Sequence, residues 1–172
     1  MSDDVITSGV QAVESVELRF RLNGRETTLV VPAAMSLLEL LRDRLGLRGT
    51  KLACSRAVCG SCTVLIDGNP AASCALFAFQ IDGADIVTIE GLSGSDGMLH
   101  PLHDAFRRFS ALQCGYCTPG MILLAKSLLD QDLAPSRAVV VEWMSSGICR
   151  CTGYNLIVEA VLSAAAEIRR GQ

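Results

Sequence analysis

The chain has 172 residues, half of them hydrophobic, and a formal net charge of -3, enough for one ordinary domain or two small ones with modest cores. Its fifteen Lys and Arg are scattered without a basic stripe and the pI is near 5.3, which removes nucleic acid from the expected partners. Mean hydropathy is +0.38, but the apolar stretches are interrupted, as Lys126 interrupts GMILLAKSLL, well short of the ~20 residues that span a bilayer.

Residues 1–14 are acidic and polar and are expected to form a flexible tail. The opening MSDDVITSGVQAVES shows neither an apolar signal core nor twin arginines, so no export signal and a cytoplasmic location are expected. In VELRFRLNGRETTLVV, Val16, Leu18, Phe20 and Leu22 alternate with polar residues before Asn23-Gly24, the signature of a strand, a tight turn and a second strand. Ser36-Leu37-Leu38-Glu39 has the form of a capping box, and SLLELLRDRLGL has helical apolar spacing that ends at Gly46 or Gly49. After a cysteine-rich loop, TVLIDG with its Asp67-Gly68 turn, ASCALFAF and DIVTIEGL read as further strands. A small mixed sheet with one helix packed on it is predicted over residues 15–90.

GLSGSDGM, residues 91–98, is rich in Gly and Ser and reads as a linker. Beyond it, over 99–172, the apolar period becomes 3.6. Pro101 stands at one helix start, Thr118 and Pro119 serve as cap and first turn of a second, and Ser136 and Asn155 begin a third and a fourth.

Eight cysteines without an export signal argue against a disulfide framework and for metal or cluster ligation. Cys54, Cys59, Cys62 and Cys74 are spaced C-x4-C-x2-C and then eleven residues apart. The first three match the plant-type [2Fe-2S] loop, with a distant cysteine closing the site. Small residues such as Gly60 and Ser61 let the backbone turn its N-H groups toward sulfur. Structural zinc usually takes two C-x2-C knuckles, which this spacing does not resemble. Cys114 and Cys117 form a C-x2-C and Cys149 and Cys151 a C-x-C, with 31 residues between. Cysteines one residue apart rarely reach disulfide geometry. Both pairs are expected at helix N-termini, where the dipole favours thiolates or an anionic cluster. By themselves these four leave zinc, iron-sulfur and, for the C-x2-C, a thioredoxin-like redox pair all open.

Together, CGSCTVLIDG, QCGYCTPGM and GICRCTGYNLIVEAV resemble the small iron-sulfur subunit of the molybdenum hydroxylases, the family of xanthine dehydrogenase, aldehyde oxidoreductase and carbon monoxide dehydrogenase, from about Val16 to about Ile168. The resemblance implies an α+β fold, with an N-terminal β-grasp, plant-type ferredoxin-like domain followed by a four-helix [2Fe-2S]-binding bundle. It implies one cluster on Cys54, Cys59, Cys62 and Cys74, toward FAD, and one on Cys114, Cys117, Cys149 and Cys151, toward molybdenum. It also implies a heterotrimer with a large subunit holding molybdopterin, in a dinucleotide form, and a medium subunit holding FAD. A dimer of such heterotrimers is compatible with it. Gln113 matches a family glutamine that hydrogen-bonds the pterin; read without the family, it is an ordinary polar residue at a helix end. The family usually has Gly immediately before the first cysteine and often another inside that loop, where this chain has Ala53 and Ala57. The implied function is electron relay from molybdopterin to FAD during hydroxylation of an N-heteroaromatic compound or an aldehyde. A zinc-stabilised adaptor protein and a free-standing ferredoxin are the competing readings.

His100 and His103 flank a helix start and read as surface or capping residues. No nucleophile elbow, P-loop or G-x-G-x-x-G is present. Trp143, Phe106 and Phe109 read as core or interface, and Arg107, Arg108, Arg150, Arg169 and Arg170 as solvated.

Overall fold

The computed structural model describes residues 14–93 and 97–171. Most of the tail expected over 1–14, and residues 94–96 of the expected linker, lie outside the described residues. Strand β1 (Ser15–Leu22) pairs antiparallel with β2 (Arg25–Pro32) across the Asn23-Gly24 turn. Asn23 and Gly24 have φ of 50° and 80°, the left-handed pair that a tight hairpin of this hand requires. Leu18 and Phe20 point into the core, while Arg19 and Arg21 point out to Glu17 and Asp85, as period-2 alternation demands.

The capping box forms: Ser36 Oγ accepts from the Glu39 amide at 3.2 Å, and the Glu39 carboxylate accepts from the Ser36 amide at 2.8 Å. Helix α1 (Leu37–Glu39) widens at once into a π-helical stretch, Leu40–Arg44, where an ordinary helix is expected. Leu37, Leu40 and Leu41, spaced i, i+3 and i+4, all pack against the sheet with no exposure. Gly46, at φ 71°, ends the helical stretch.

Strands β3 (Thr63–Ile66), β4 (Asn69–Ala72) and β5 (Asp85–Val87) complete a sheet of order β2-β1-β5-β3-β4, in which only β1 and β5 run parallel. The ASCALFAF segment is not the strand its composition predicts. It forms two 3₁₀ turns, Ser73–Ala75 and Ala78–Ile81, joined through an isolated bridge between Ser36 and Phe77. Buried Ala78 and Ile81 lie three residues apart, a spacing a 3₁₀ turn puts on one face and a strand puts on opposite faces. DIVTIEGL likewise keeps only three strand residues before a 3₁₀ turn over Ile89–Gly91. Fully buried Thr88 leaves the ladder there because its amide donates to Asn23 Oδ1 at 2.8 Å.

Four helices follow: α2 (Pro101–Arg108), α3 (Thr118–Gln131), α4 (Arg137–Met144) and α5 (Asn155–Gly171). The His100 imidazole caps α2 by accepting from the Leu102 amide at 3.2 Å, and Ser136 Oγ caps α4 by accepting from Val139 at 3.3 Å. Cys117 rather than Thr118 is the cap residue of α3, since the Cys117 carbonyl already accepts from Met121. Arg108 bridges Asp104 and Glu167, tying α2 to α5. Trp143 and Phe106 enter the helical core, Trp143 donating to the Leu124 carbonyl at 3.0 Å. No helix among the described residues is long and apolar enough to cross a membrane.

Strand β3 joins the two cores. Val64 faces the sheet's own cluster with Leu18, Phe20 and Ile86, while Leu65 faces the helical cluster with Met121, Leu124 and Val161. Successive side chains on opposite faces make this strand a shared wall. The loop of Cys54, Cys59 and Cys62 leads into its Thr63 end, where Ala72 of β4 pairs and Cys74 follows.

Candidate metal centres

All eight thiols are free. In the N-terminal site the eleven residues between Cys62 and Cys74 are those of the β3–β4 hairpin. Four residues run out, Asp67-Gly68 turns with φ of 49° and 79°, four run back, and the Ser73 amide closes on the Cys62 carbonyl at 3.3 Å. The hairpin thereby brings the Cys62 and Cys74 thiols within hydrogen-bonding reach. Cys54 and Cys59 form the other pair. The loop carrying them puts Ser55, Ala57 and Gly60 at φ of 52°, 56° and 70°. Left-handed residues alternating with right-handed ones turn successive N-H groups to one side. Here the Arg56 amide donates to Cys54 Sγ and the Ala57 amide to Cys74 Sγ, both at 3.4 Å, the second tying one pair to the other. The Arg56 amide, then those of Cys59 and Val58, hold the Cys54 thiol down to about 6. Burial pushes Cys62 up to about 11.

The C-terminal site pairs its cysteines across the two motifs. Cys114 Sγ lies 3.7 Å from Cys151 Sγ, and Cys117 meets Cys149. Cys117 caps α3, but the C-x-C pair does not reach a helix N-terminus as expected, because Thr152–Tyr154 stands between it and α5. Side-chain donors replace the dipole there. Against burial, the Thr152 hydroxyl at 3.2 Å and the Thr152 and Cys151 amides bring Cys149 down to about 7. Burial, then the neighbouring Cys149, pushes Cys117 up to about 12. Cys114 and Cys151 are exposed, and so is Gln113 beside them. Arg150 is exposed, and the histidines cap and pack α2 without joining either site.

Among the described residues no three His, Cys, Asp or Glu side chains converge on one point that could hold a single ion. The thiols approach two by two. Structural zinc gathers four ligands around one centre, whereas a [2Fe-2S] cluster takes two thiolates at each of two irons. The pairing and the amides aimed at sulfur suit the binuclear group.

The two sites also touch, through residues that the cysteine motifs do not announce. The Ile148 amide donates to the Cys59 carbonyl at 2.9 Å. The Tyr116 hydroxyl, from between Cys114 and Cys117, donates to the Leu52 carbonyl, and Lys51 Nζ lies 6.0 Å from the centre of the Tyr116 ring. Gly60, Gly120 and Gly147 meet so closely that a Cβ on Gly120 would stand 2.3 Å from the Gly60 carbonyl oxygen, and one on Gly60 would stand 3.1 Å from Gly147 Cα. The only sequence signal for these contacts is that the glycines and tyrosines stand beside or between cysteines.

Residues 20–85 match the 2Fe-2S iron-sulfur cluster binding domain family and residues 88–162 the [2Fe-2S] binding domain family. The chain is 46% identical over 155 residues to the nicotine 6-hydroxylase small subunit of Paenarthrobacter nicotinovorans, covering 90% of this chain and 93% of that one. It is 44% identical over 150 residues to the aldehyde oxidoreductase of Megalodesulfovibrio gigas, covering 86% of this chain and 16% of that one. A chain in the crystal structure of quinoline 2-oxidoreductase from Pseudomonas putida 86 superposes with a TM-score of 0.86 at 46% identity, covering 91% of this chain and 98% of that one. Fold and site thus define an iron-sulfur protein with two [2Fe-2S]-binding domains. The chain belongs to the family of iron-sulfur small subunits of the molybdenum hydroxylases, and its role is that of an electron-transfer component of an oxidoreductase.

Proposed function

We propose that Cys54 and Cys59 hold one iron and Cys62 and Cys74 the other iron of an N-terminal [2Fe-2S] cluster. Cys114 with Cys151, and Cys117 with Cys149, divide a C-terminal cluster in the same way. The N-terminal cluster belongs to a β-grasp, plant-type ferredoxin-like domain over 15–90, and the C-terminal one to a four-helix bundle over 99–172, with 91–98 as linker. When bound, the clusters supply reversible one-electron redox chemistry. The chain's own residues hold the thiolates, aim amides at sulfur and keep the two sites in contact. The observation that carries this reading is the division of each site into two thiol pairs, one pair per iron.

In a complex with a large subunit bearing a molybdopterin dinucleotide and a medium subunit bearing FAD, the chain passes two electrons, one at a time, from the C-terminal site to the N-terminal site. Exposed Cys114, Cys151 and Gln113 support placing the pterin at that edge, with Gln113 as its hydrogen-bonding contact. The partners hydroxylate an N-heteroaromatic compound or an aldehyde, and relatives named for nicotine, nicotinate and quinoline support the first. Eight free thiols suit a reducing compartment and support a cytoplasmic location.

The test is metal and sulfide content with EPR of the reduced protein purified anaerobically from its native host. About four irons, four labile sulfides and two distinct [2Fe-2S] signals per chain are expected. Zinc without sulfide overturns the reading. Cys114→Ser in the whole complex is expected to stop flavin reduction by substrate while a chemical donor still reduces the flavin.

A further inference from the structure

Tyr154 has no part in ligation, yet its geometry is unusual. It follows Gly153, at φ 66°, and itself adopts φ 68°, a conformation unfavourable to a bulky side chain. Backbone strain of this kind persists only where the surroundings over-determine it. Its hydroxyl accepts from the Cys149 amide at 2.7 Å and donates to the Gly147 carbonyl at 3.1 Å, so both hydrogen-bonding capacities of the phenol are used.

The two groups it grips are the neighbours of Ile148, whose amide donates to the Cys59 carbonyl. The Ile148 side chain is 49% exposed, so burial does not anchor this residue. Its amide is aimed by the backbone on either side. Among the described residues, Ile148 to Cys59 is the one backbone hydrogen bond that joins the loop of one cysteine set to the loop of the other, and Cys149 is the next residue along. Covalent bonds and this single hydrogen bond therefore lead from Cys149 to Cys59.

We propose that Tyr154 is a positioning residue for electron passage between the two cysteine sites: its hydroxyl clamps residues 147–149 so that the Ile148 amide stays on the Cys59 carbonyl. The proposal rests on the two-cluster reading given above. Without the hydroxyl, the Cys149 amide and the Gly147 carbonyl lose a shared partner, the segment gains freedom, and the link to Cys59 opens more often.

The experiment is Tyr154→Phe in the whole complex, a change that keeps the ring and removes one oxygen. Iron and sulfide contents are expected to stay as in the parent. Hydrogen exchange of the Ile148 amide is expected to rise roughly fivefold, the ratio that corresponds to one net hydrogen bond. The magnetic interaction between the two reduced clusters weakens, and electron passage between them slows several-fold, driving force being checked from both midpoint potentials. Ser136→Ala, which removes the cap bond to the Val139 amide at the other end of α4, serves as control and is expected to lower stability without moving the magnetic interaction or the rate. Unchanged interaction and rate in Tyr154→Phe, or equal slowing in Ser136→Ala, overturns the proposal. Should Tyr154→Phe fail to load its clusters, the parent protein decides. An Ile148 amide that exchanges there as fast as a freely solvated one also overturns it. A parent without two clusters instead refutes the functional reading.

Discussion

Gly120, buried in the first turn of α3, gives a test whose sign depends on contact between the two halves. Within a helix, Gly→Ala ordinarily stabilises by about 1 kcal/mol, because alanine loses less backbone entropy. Here the added methyl would stand 2.3 Å from the Gly60 carbonyl oxygen, 3.3 Å from its carbonyl carbon and 3.4 Å from Ser61 Cα. Restoring van der Waals distance needs a shift of roughly 1 Å. All three atoms are backbone, in a loop held by the Cys54 and Cys74 sulfurs and by Ile148, so no rotamer change relieves the overlap. Overpacking costs about 1–3 kcal/mol, and fixed backbone places this case near the top of that range. The net expectation for Gly120→Ala is destabilisation by about 2 kcal/mol, a fall in Tm of roughly 4–8 °C for a chain of this size. Denaturant unfolding and calorimetry of the cluster-loaded protein measure both. Stabilisation by about 1 kcal/mol would refute the reasoning, since only helix propensity would then be acting and the loop and helix would not be in contact.

Ala57 is exposed and sits at φ 56°, a conformation that costs an L residue about 1–2 kcal/mol and glycine almost nothing. Allowing for glycine's extra unfolded-state freedom, Ala57→Gly is expected to stabilise by about 0.5 kcal/mol, and a clear loss in denaturant unfolding would show that the methyl packs. His100 has its pKa lowered from 6.5 to about 4, first by burial and then by the charge of Lys126. Its neutral form is the one that folds, so its contribution is complete above pH 6.5 and is lost as pH falls from 6.5 toward 4, up to about 1–2 kcal/mol once solvent screening of the half-buried ring is allowed for. His100→Asn keeps an acceptor for the Leu102 amide and removes the titration. Its unfolding free energy, measured in urea at a series of pH values, is expected to fall less steeply than the parent's over that window, and equal slopes would exclude the effect.

Patterns that depend on neighbours in sequence were legible from the chain alone. The Asn23-Gly24 hairpin, the Ser36–Glu39 capping box and the starts of α2, α4 and α5 are short-range devices, and each takes the expected form. Cysteine spacing was legible for a related reason, since eleven residues are what a four-residue hairpin with a two-residue turn needs to bring Cys74 back to Cys62. Reading failed where long-range packing overrides composition. ASCALFAF looks like a strand until Ala78 and Ile81 must share one face and Ser73 must bond the Cys62 carbonyl with both its amide and its hydroxyl. SLLELLRDR reads as a uniform helix, and its leucines at i, i+3 and i+4 do reach the sheet, but the π-helical widening over Leu40–Arg44 leaves no signal in that spacing. The cross-pairing of Cys114 with Cys151 and Cys117 with Cys149 was not legible either, because 31 residues of intervening chain decide it.

Glycine at the junction follows from what an electron-transfer chain requires. Transfer between two weakly coupled sites falls steeply with separation, so each side chain placed between the cysteine loops would be a penalty on rate. At Gly120 and Gly147 the backbone is not left-handed, so turn geometry does not explain these residues. Close approach does: a Cβ on Gly147 would lie 2.8 Å from the Met121 sulfur, and one on Gly120 would enter the Gly60 carbonyl. With no side chain on Gly60 or Gly120, backbone rests on backbone there and the Ile148 amide can reach Cys59 directly. Beside the Met121 and Leu124 side chains packed at Gly147, the hydroxyls of Tyr154 and Tyr116 add hydrogen bonds that hold the loops in register. Glycines that set the distance and tyrosines that maintain it are therefore two halves of one solution, and a substitution in either group should register as altered communication between the sites before it registers as loss of either site.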